Sequence, residues 1–149
     1  MGSVVVAGGR DEMPGLKPAG PNLSALVVDD YAHTRLLFRV QLEHAGFHVD
    51  EAEHTGGAAG KILERKTHYS VVLLDVGLPE TDGYTVTDVA KMAKESGAKL
   101  VMHTAAELRD EDVPTMRRDY GADEVFPKLA NTNIATFLQK EMGLGRITE

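Results

Sequence analysis

The stretch Val71-Val72-Leu73-Leu74-Asp75 decides the fold of this chain. Its four apolar residues are consecutive and lack the polar alternation of a strand with one face in water. An uninterrupted aliphatic run of this length is typical of a central parallel strand that is covered on both faces. The sequence therefore predicts a parallel sheet between two layers of helices, with Asp75 at the carboxyl end of a central strand.

Short apolar runs on either side of this stretch are each followed by residues with helical spacing. The predicted strands cover 23–28, 47–50, 71–74, 100–102 and 124–127. The predicted helices cover 31–45, 57–66, a segment around 86–93, a segment from about 113, and a segment around 134–142. Strands that alternate with helices in this way predict an α/β fold, a doubly wound five-stranded parallel sheet with helices on both faces.

The helices carry specific expectations about their ends and inward faces. Gly46 is expected to stop the first helix, and Asp112 is expected to cap the fourth, with Pro114 in its first turn. Asn131 or Thr132 is expected near the cap of the last helix. The residues expected to face inward are Ala59, Ile62 and Leu63 in the second helix, Val86, Val89, Ala90 and Ala93 in the third, and Ile134, Phe137, Leu138 and Met142 in the last.

Length, charge and composition exclude several classes of function. The 149 residues suit one domain, and 16 Lys plus Arg against 23 Asp plus Glu give a net charge of −7. Such an acidic chain is a poor candidate for binding nucleic acid or an anionic membrane through charge. The absence of Cys excludes disulfides and thiolate chemistry. We expect a soluble, cytoplasmic protein, with nuclear access if the source is eukaryotic.

The folded domain is expected to cover residues 23–143. Residues 1–22 hold five Gly and three Pro, so this segment is predicted to be a flexible N-terminal tail. Residues 144–149 are predicted to be a short C-terminal tail. Because so few residues follow the last helix, we expect no DNA-binding module there.

Polar residues follow four of the predicted strands, at the edge where open parallel sheets bind their ligands. Asp29 and Asp30 follow the first strand, Asp75 the third, Thr104 the fourth and Lys128 the fifth. Three crowded carboxylates need a cation between them, and oxygen ligands favour Mg²⁺. An Asp among them can act as a nucleophile towards phosphorus, while a Lys and a Thr bind the phosphoryl oxygens.

Each of these residues also has a purely structural interpretation. Asp30 alone suits a helix cap, and Thr104 with Glu107 fits a capping box. Lys128 alone suits a solvated surface charge. The six histidines are assigned structural or surface roles, and His103 is expected to point away from Thr104 because neighbouring residues of a strand alternate in direction. It is the joint pattern that favours a phosphoryl site.

In order and spacing, these residues resemble the receiver domain of response regulators, from about residue 23 to residue 143. The resemblance is carried by Leu26-Val27-Val28-Asp29-Asp30, by Leu73-Leu74-Asp75-Val76-Gly77-Leu78-Pro79, by Thr81-Asp82-Gly83, by His103-Thr104-Ala105, and by Gly121-Ala122-Asp123 followed by Lys128. It implies a flavodoxin-like sheet with strand order 2-1-3-4-5.

The resemblance also implies a role for each site residue. Asp75 would be the phosphoacceptor, and Asp30, Asp75 and the Gly77 carbonyl would bind Mg²⁺, with Asp29 assisting through water. Thr104 and Lys128 would bind the phosphoryl group. The donor would be a histidine kinase or a histidine phosphotransfer protein. Apart from its own phosphorylation and dephosphorylation, such a domain is no enzyme.

The output expected from the resemblance is docking on an unknown downstream protein or onward phosphotransfer. The chain would act without binding DNA or a membrane, as a monomer or a weak phosphorylation-dependent dimer. Two departures bear on that output. Leu129 follows Lys128 where receivers usually have Pro, and Val125 stands where many carry an aromatic residue that moves on activation.

Two other functions stay open from the sequence. A degenerate receiver would dock on a partner without phosphorylation, and the two departures motivate this alternative. A Mg²⁺-dependent phosphohydrolase with an Asp nucleophile is the other, although Gly77 stands where such enzymes of the haloacid-dehalogenase type have a second Asp.

Overall fold

A computed structural model describes residues 23–64, 68–104, 109, 111–127 and 133–145. The strands are β1 (Leu23–Val28), β2 (Phe47–Ala52), β3 (Val71–Asp75), β4 (Lys99–Thr104) and β5 (Glu124–Pro127). The helices are α1 (Ala32–His44), α2 (Thr55–Glu64), α3 (Val86–Glu95), α4 (Asp112–Tyr120) and α5 (Ile134–Met142). All strand pairs are parallel and their order is β2-β1-β3-β4-β5, which confirms the predicted fold class.

The core has two halves, one on each face of the sheet. Along β3, Val72 and Leu74 face the half that packs against α2, α3 and α4, here called the three-helix face. Val71 and Leu73 face the half that packs against α1 and α5, the two-helix face. Because successive strand residues point to opposite faces, a strand buried on both needs an unbroken apolar run.

Most of the predicted inward faces are confirmed. In α3 all four expected residues are buried, and in α5 Ile134 and Leu138 are buried while Phe137 and Met142 are half-buried. Val125 and Phe126 lie on opposite faces of the sheet, as their alternation predicts. Leu144, in the segment predicted to be a tail, packs against the two-helix half of the core.

The prediction that Leu63 faces inward is wrong, since 56% of this residue is exposed. Helix α2 begins at Thr55, two residues before the predicted start, and Thr55 is itself fully buried. Its inward face therefore consists of Thr55, Ala58, Ala59 and Ile62, at helical spacing i, i+3, i+4 and i+7. Because Thr55 is buried although it carries a hydroxyl, the inward face begins two residues earlier than the apolar residues alone indicated, and Leu63 lies outside it.

Helix ends also differ from the predictions by one or two residues. Asp112 is the first residue of α4 instead of its cap, and its carboxylate accepts a hydrogen bond from the Arg109 N–H at 2.9 Å. Asn133 caps α5 and accepts from the N–H groups of Ala135 and Thr136. Strands β2 and β4 are longer than predicted, because parallel pairing continues past the apolar residues.

The predicted features that lie outside the described residues are the tail 1–22, Glu107, Lys128, Leu129, Asn131, Thr132 and residues 146–149.

One predicted pH effect arises at the junction of β4 and β5. Partial burial alone raises the pKa of Asp123, but hydrogen bonds from Lys94 Nζ at 2.7 Å and the Leu100 N–H at 2.8 Å outweigh it and lower that pKa. A lowered pKa stabilises the fold above the unfolded-state pKa, and this contribution is lost as pH falls through the folded-state pKa. We expect Asp123→Asn to cost about 1 kcal/mol of unfolding free energy near neutral pH.

Urea titrations of wild type and Asp123→Asn at several pH values measure this effect. The difference in unfolding free energy between the two proteins should narrow as pH falls below the unfolded-state pKa of Asp, about 4, and should vanish below the lowered folded-state pKa. Asp119→Asn, at an exposed position of α4, is the matched control and should show little difference at any pH. A constant difference between Asp123→Asn and wild type down to acid pH would contradict the electrostatic assignment.

Candidate functional site

The carboxyl edge of the sheet brings Asp29, Asp75 and His103 into one row. Val28 of β1 is in register with Leu74 of β3, so the next residues, Asp29 and Asp75, stand at the same level. Asp75 is in register with His103 of β4. All three continue the alternation of residues that face α1 and α5, so their side chains lie on the two-helix face.

The side chains of this row are close and almost completely enclosed. One ligand atom from each of the three residues lies within 4.8 Å of the others. Asp29 and His103 are fully buried, and Asp75 is only 9% exposed. Two carboxylates this close repel each other unless a proton or a cation lies near them. The predicted meeting of Asp29 and Asp75 is therefore present.

Asp29 is held through both of its carboxylate oxygens. Its Oδ1 accepts a hydrogen bond from the Tyr31 N–H at 2.8 Å, and its Oδ2 lies 2.9 Å from His103 Nε2. The Asp29 N–H donates to the Ala52 carbonyl at 3.1 Å. These contacts explain why a residue that follows the last strand residue is as buried as the strand itself.

An arginine beneath the site connects it to β2. Arg35 Nη1 donates to the Asp29 carbonyl at 2.8 Å, and its Nε donates to Glu51 Oε1 at 3.0 Å. Burial alone raises the pKa of Glu51, but hydrogen bonds from Arg39 and Arg35 lower it overall. The ionised Glu51 in turn keeps both guanidinium groups in place, which fixes the backbone that carries Asp29.

The Asp75 carboxylate is oriented by the turn that follows it. Its Oδ1 accepts a hydrogen bond from the Gly77 N–H at 3.0 Å, and the Val76 N–H donates to the His103 carbonyl at 2.9 Å. A Cβ at Gly77 would lie 3.6 Å from Asp75 Oδ1, which is ordinary contact. Glycine is thus not sterically required here, and its absent side chain leaves the approach to Asp75 open.

The loop after Asp75 is anchored to the start of α2 by two threonines. Thr81 and Tyr84 bond each other through their backbones around Asp82 and Gly83, both of which have positive φ. Thr55 Oγ1, fully buried, lies 2.9 Å from Thr81 Oγ1 and donates to the Tyr84 carbonyl at 2.7 Å. This anchor ties the loop that follows Asp75 to the first turn of α2.

The other predicted site residues have different outcomes. Asp30 is exposed, and its carboxylate is not among the three grouped atoms. Thr104 ends β4 and is partly exposed, one residue beyond the row. Lys128 lies outside the described residues. The structure thus groups Asp29 with Asp75 and leaves Asp30, Thr104, Gly77 and Lys128 as predictions.

Sequence reasoning missed the contact of His103 with Asp29. The histidine was expected to point away from Thr104 and to be structural, which gave no reason to examine its neighbours. The missing signal was strand register: His103 lies beside Asp75 on the same face of the sheet.

No helix among the described residues is long and apolar enough to cross a membrane.

Comparisons with known proteins agree with this geometry. The chain is 39% identical over 80 residues to the transcriptional regulatory protein ResD of Bacillus subtilis, covering 54% of this chain and 32% of that protein. It is 32% identical over 117 residues to a protein-glutamate methylesterase/protein-glutamine glutaminase of Paramagnetospirillum magneticum, covering 77% of this chain and 30% of that protein. The chain thus spans about a third of the length of these curated relatives.

Solved structures show the same fold at lower identity. The chemotaxis protein CheY4 of Vibrio cholerae has a TM-score of 0.67 at 22% identity, with 82% of this chain and 100% of that chain covered. A chain in the structure of the CheA3 P1 domain with CheY6 from R. sphaeroides has a TM-score of 0.66 at 24% identity, covering 84% of this chain and 100% of that one. The family model described as response regulator receiver domain matches residues 25–139. With this match over most of its length and with its sheet order, the chain belongs to the response regulator receiver domain family.

Proposed function

We propose that this domain is a phosphorylation switch in which Asp75 accepts a phosphoryl group from a phosphohistidine donor in a Mg²⁺-dependent reaction. The observation that carries the proposal is the position of Asp75 beside Asp29, at the carboxyl edge of a receiver-family sheet. The phosphorylated domain then signals through a changed surface or passes the group onward.

The chemistry asked of Asp75 is nucleophilic attack on phosphorus. A carboxylate oxygen of Asp75 forms the new O–P bond while the N–P bond of the donor's phosphohistidine breaks. The bonding electrons stay on the imidazole nitrogen of the donor, which then takes up a proton. The hydrogen bond from the Gly77 N–H orients the carboxylate before the attack, so less orientational freedom is lost in the reaction.

The residues present fit a hard divalent cation, since the pocket offers closely spaced carboxylate oxygens. We propose that Asp30, Asp75 and the Gly77 carbonyl hold Mg²⁺ and that Asp29 assists. When bound, Mg²⁺ neutralises charge on the phosphoryl oxygens as the group is transferred. Thr104 and Lys128 are proposed to bind those same oxygens.

An exposed apolar face on α1 suits the donor's docking. Leu36, Leu37 and Val40, here called the α1 patch, are each about half exposed and lie on the helix face opposite the buried Phe38 and Leu42. The patch begins seven residues after Asp29, about one turn into α1, and we propose that a donor seated on it presents its phosphohistidine to Asp75. Burial of these apolar side chains would supply much of the docking energy.

We expect the double substitution Leu36→Ser and Val40→Ser to slow transfer from a phosphohistidine donor at least about tenfold, because two central apolar contacts are lost. Phosphorylation by acetyl phosphate should stay unchanged, since this small donor needs no docking surface. Leu63→Ser, as exposed as Leu36 but on α2, is the matched control and should transfer normally. Equal slowing with acetyl phosphate would show that the substitutions damage Asp75 chemistry itself.

The test of the proposed function is intact-mass spectrometry after incubation with acetyl phosphate. A single phosphoryl adduct that forms with Mg²⁺ and is lost when the metal is chelated supports the switch. No adduct with or without Mg²⁺ would overturn the proposal and leave a domain that docks without phosphorylation. Release of many phosphates per chain from a small phosphate ester would instead indicate a phosphohydrolase.

A further inference from the structure

His103 is a fully buried polar side chain next to the apolar core residues of the two-helix face. Its ring meets the edge of Phe38 with centroids 5.2 Å apart, and Phe126 is its neighbour in register on β5. An aliphatic side chain would pack here without the cost of removing an imidazole from water. Packing alone therefore does not account for a histidine at this position.

The imidazole faces the two carboxylates of the proposed cation pocket. His103 Nε2 is 2.9 Å from Asp29 Oδ2, and it belongs with Asp29 and Asp75 to the group whose ligand atoms lie within 4.8 Å of one another. Metal–ligand bonds of about 2.1 Å place ligands at right angles about 3 Å apart and opposite ligands about 4.2 Å apart. The 2.9 Å between His103 Nε2 and Asp29 Oδ2 thus suits two neighbouring ligands of one cation.

We propose that His103 Nε2 is a further direct ligand of the cation that Asp75 holds beside Asp29, so that the pocket binds Mn²⁺ more tightly than it binds Mg²⁺. Mg²⁺ favours ligands that are all oxygen, whereas an imidazole nitrogen favours divalent transition metals. Coordination requires that Nε2 give its lone pair to the cation instead of donating a hydrogen bond to Asp29 Oδ2. The inference rests on the proposed function only in requiring that a divalent cation enter the pocket.

The alternative role for His103 is to position Asp29 by a hydrogen bond without touching the metal. Electron spin-echo spectroscopy of bound Mn²⁺ separates the two roles, because a directly bound imidazole nitrogen modulates the echo strongly. We expect that modulation in the wild-type protein, and labelling its histidines with ¹⁵N should change the modulation pattern. This readout needs neither a variant nor phosphorylation.

Variants then assign the nitrogen to one residue. His103→Gln, which keeps a hydrogen-bonding group, should abolish the nitrogen modulation and lower the preference for Mn²⁺ over Mg²⁺ at least about tenfold in competition titrations. His48→Gln, at an exposed position of β2, is the matched control and should change neither. If His103→Gln does not fold, ¹⁵N-histidine labelling of a variant that keeps His103 as its only histidine makes the assignment.

Each outcome has a distinct meaning. Bound Mn²⁺ without nitrogen modulation, or modulation that survives His103→Gln, overturns the inference and leaves the proposed phosphorylation switch standing. Failure of the wild type to bind either metal overturns the inference, and the phosphoryl-adduct experiment with and without Mg²⁺ then judges the proposed function separately.

Discussion

Asp75→Asn is expected to abolish the phosphoryl adduct completely, under every phosphodonor and metal condition in which the wild type forms one. An amide oxygen is a far weaker nucleophile towards phosphorus than a carboxylate oxygen, and no other carboxylate takes the same place in the row. Asn keeps the shape of Asp and can still accept the Gly77 N–H at its oxygen. The lost property is therefore the chemistry of the carboxylate.

Although Asp75→Asn loses the phosphoryl adduct, its stability should not fall. Removing the charge of Asp75 relieves its repulsion with Asp29, so the unfolding free energy of Asp75→Asn should equal or exceed that of the wild type. Intact-mass spectrometry and urea denaturation measure the two effects on the same sample. Asp119→Asn, the exposed control on α4, should retain the full adduct. An adduct that persists in Asp75→Asn would place the phosphoacceptor elsewhere.

The second large expected effect concerns the anchor beneath the loop that follows Asp75. Thr55→Val keeps the β-branched shape but removes the hydroxyl that donates to the Tyr84 carbonyl and contacts Thr81 Oγ1. Thr55 also accepts from the Thr81 N–H at 3.1 Å. Because the Tyr84 carbonyl and the Thr81 hydroxyl and N–H each lose a hydrogen-bond partner, we expect a loss of about 1–3 kcal/mol in unfolding free energy.

Urea denaturation of Thr55→Val measures this loss, with Thr87→Val as the matched control. Thr87 is an exposed residue of α3, so its substitution should change stability by no more than about 0.5 kcal/mol. Equal stabilities of the two variants would contradict the assignment of Thr55 as the anchor. Gly56, the next residue, adds a second constraint, since a Cβ there would lie 2.2 Å from Asp82 Oδ2.

Sequence-based prediction succeeded mainly for structural features that depend on neighbouring residues of one helix or strand. Two helix starts are exceptions, because their causes are local and the predictions still failed. Thr85 and Asp88 form a complete capping box at the start of α3, a local motif that could have been predicted and was not. Asp112 misled because it lies one residue inside α4, and its carboxylate bonds Arg109 N–H before the helix.

The sequence by itself determined the layered architecture and the meeting of Asp29 with Asp75. Unbroken apolar runs fix strands covered on both faces, and polar residues that end such runs necessarily gather at the carboxyl edge of a parallel sheet. These properties follow from the order of residues along single elements. No knowledge of which side chains face each other is needed to derive them.

Only the tertiary structure decided which neighbours complete the site. The contact between His103 Nε2 and Asp29 Oδ2 joins residues that are 74 positions apart in the sequence. It depends on the register of β1, β3 and β4. The anchor of Thr55 to Thr81 and Tyr84 likewise joins two separate segments. Such contacts are set by the packing of whole elements, because a one-residue change of register would turn each strand side chain to the opposite face.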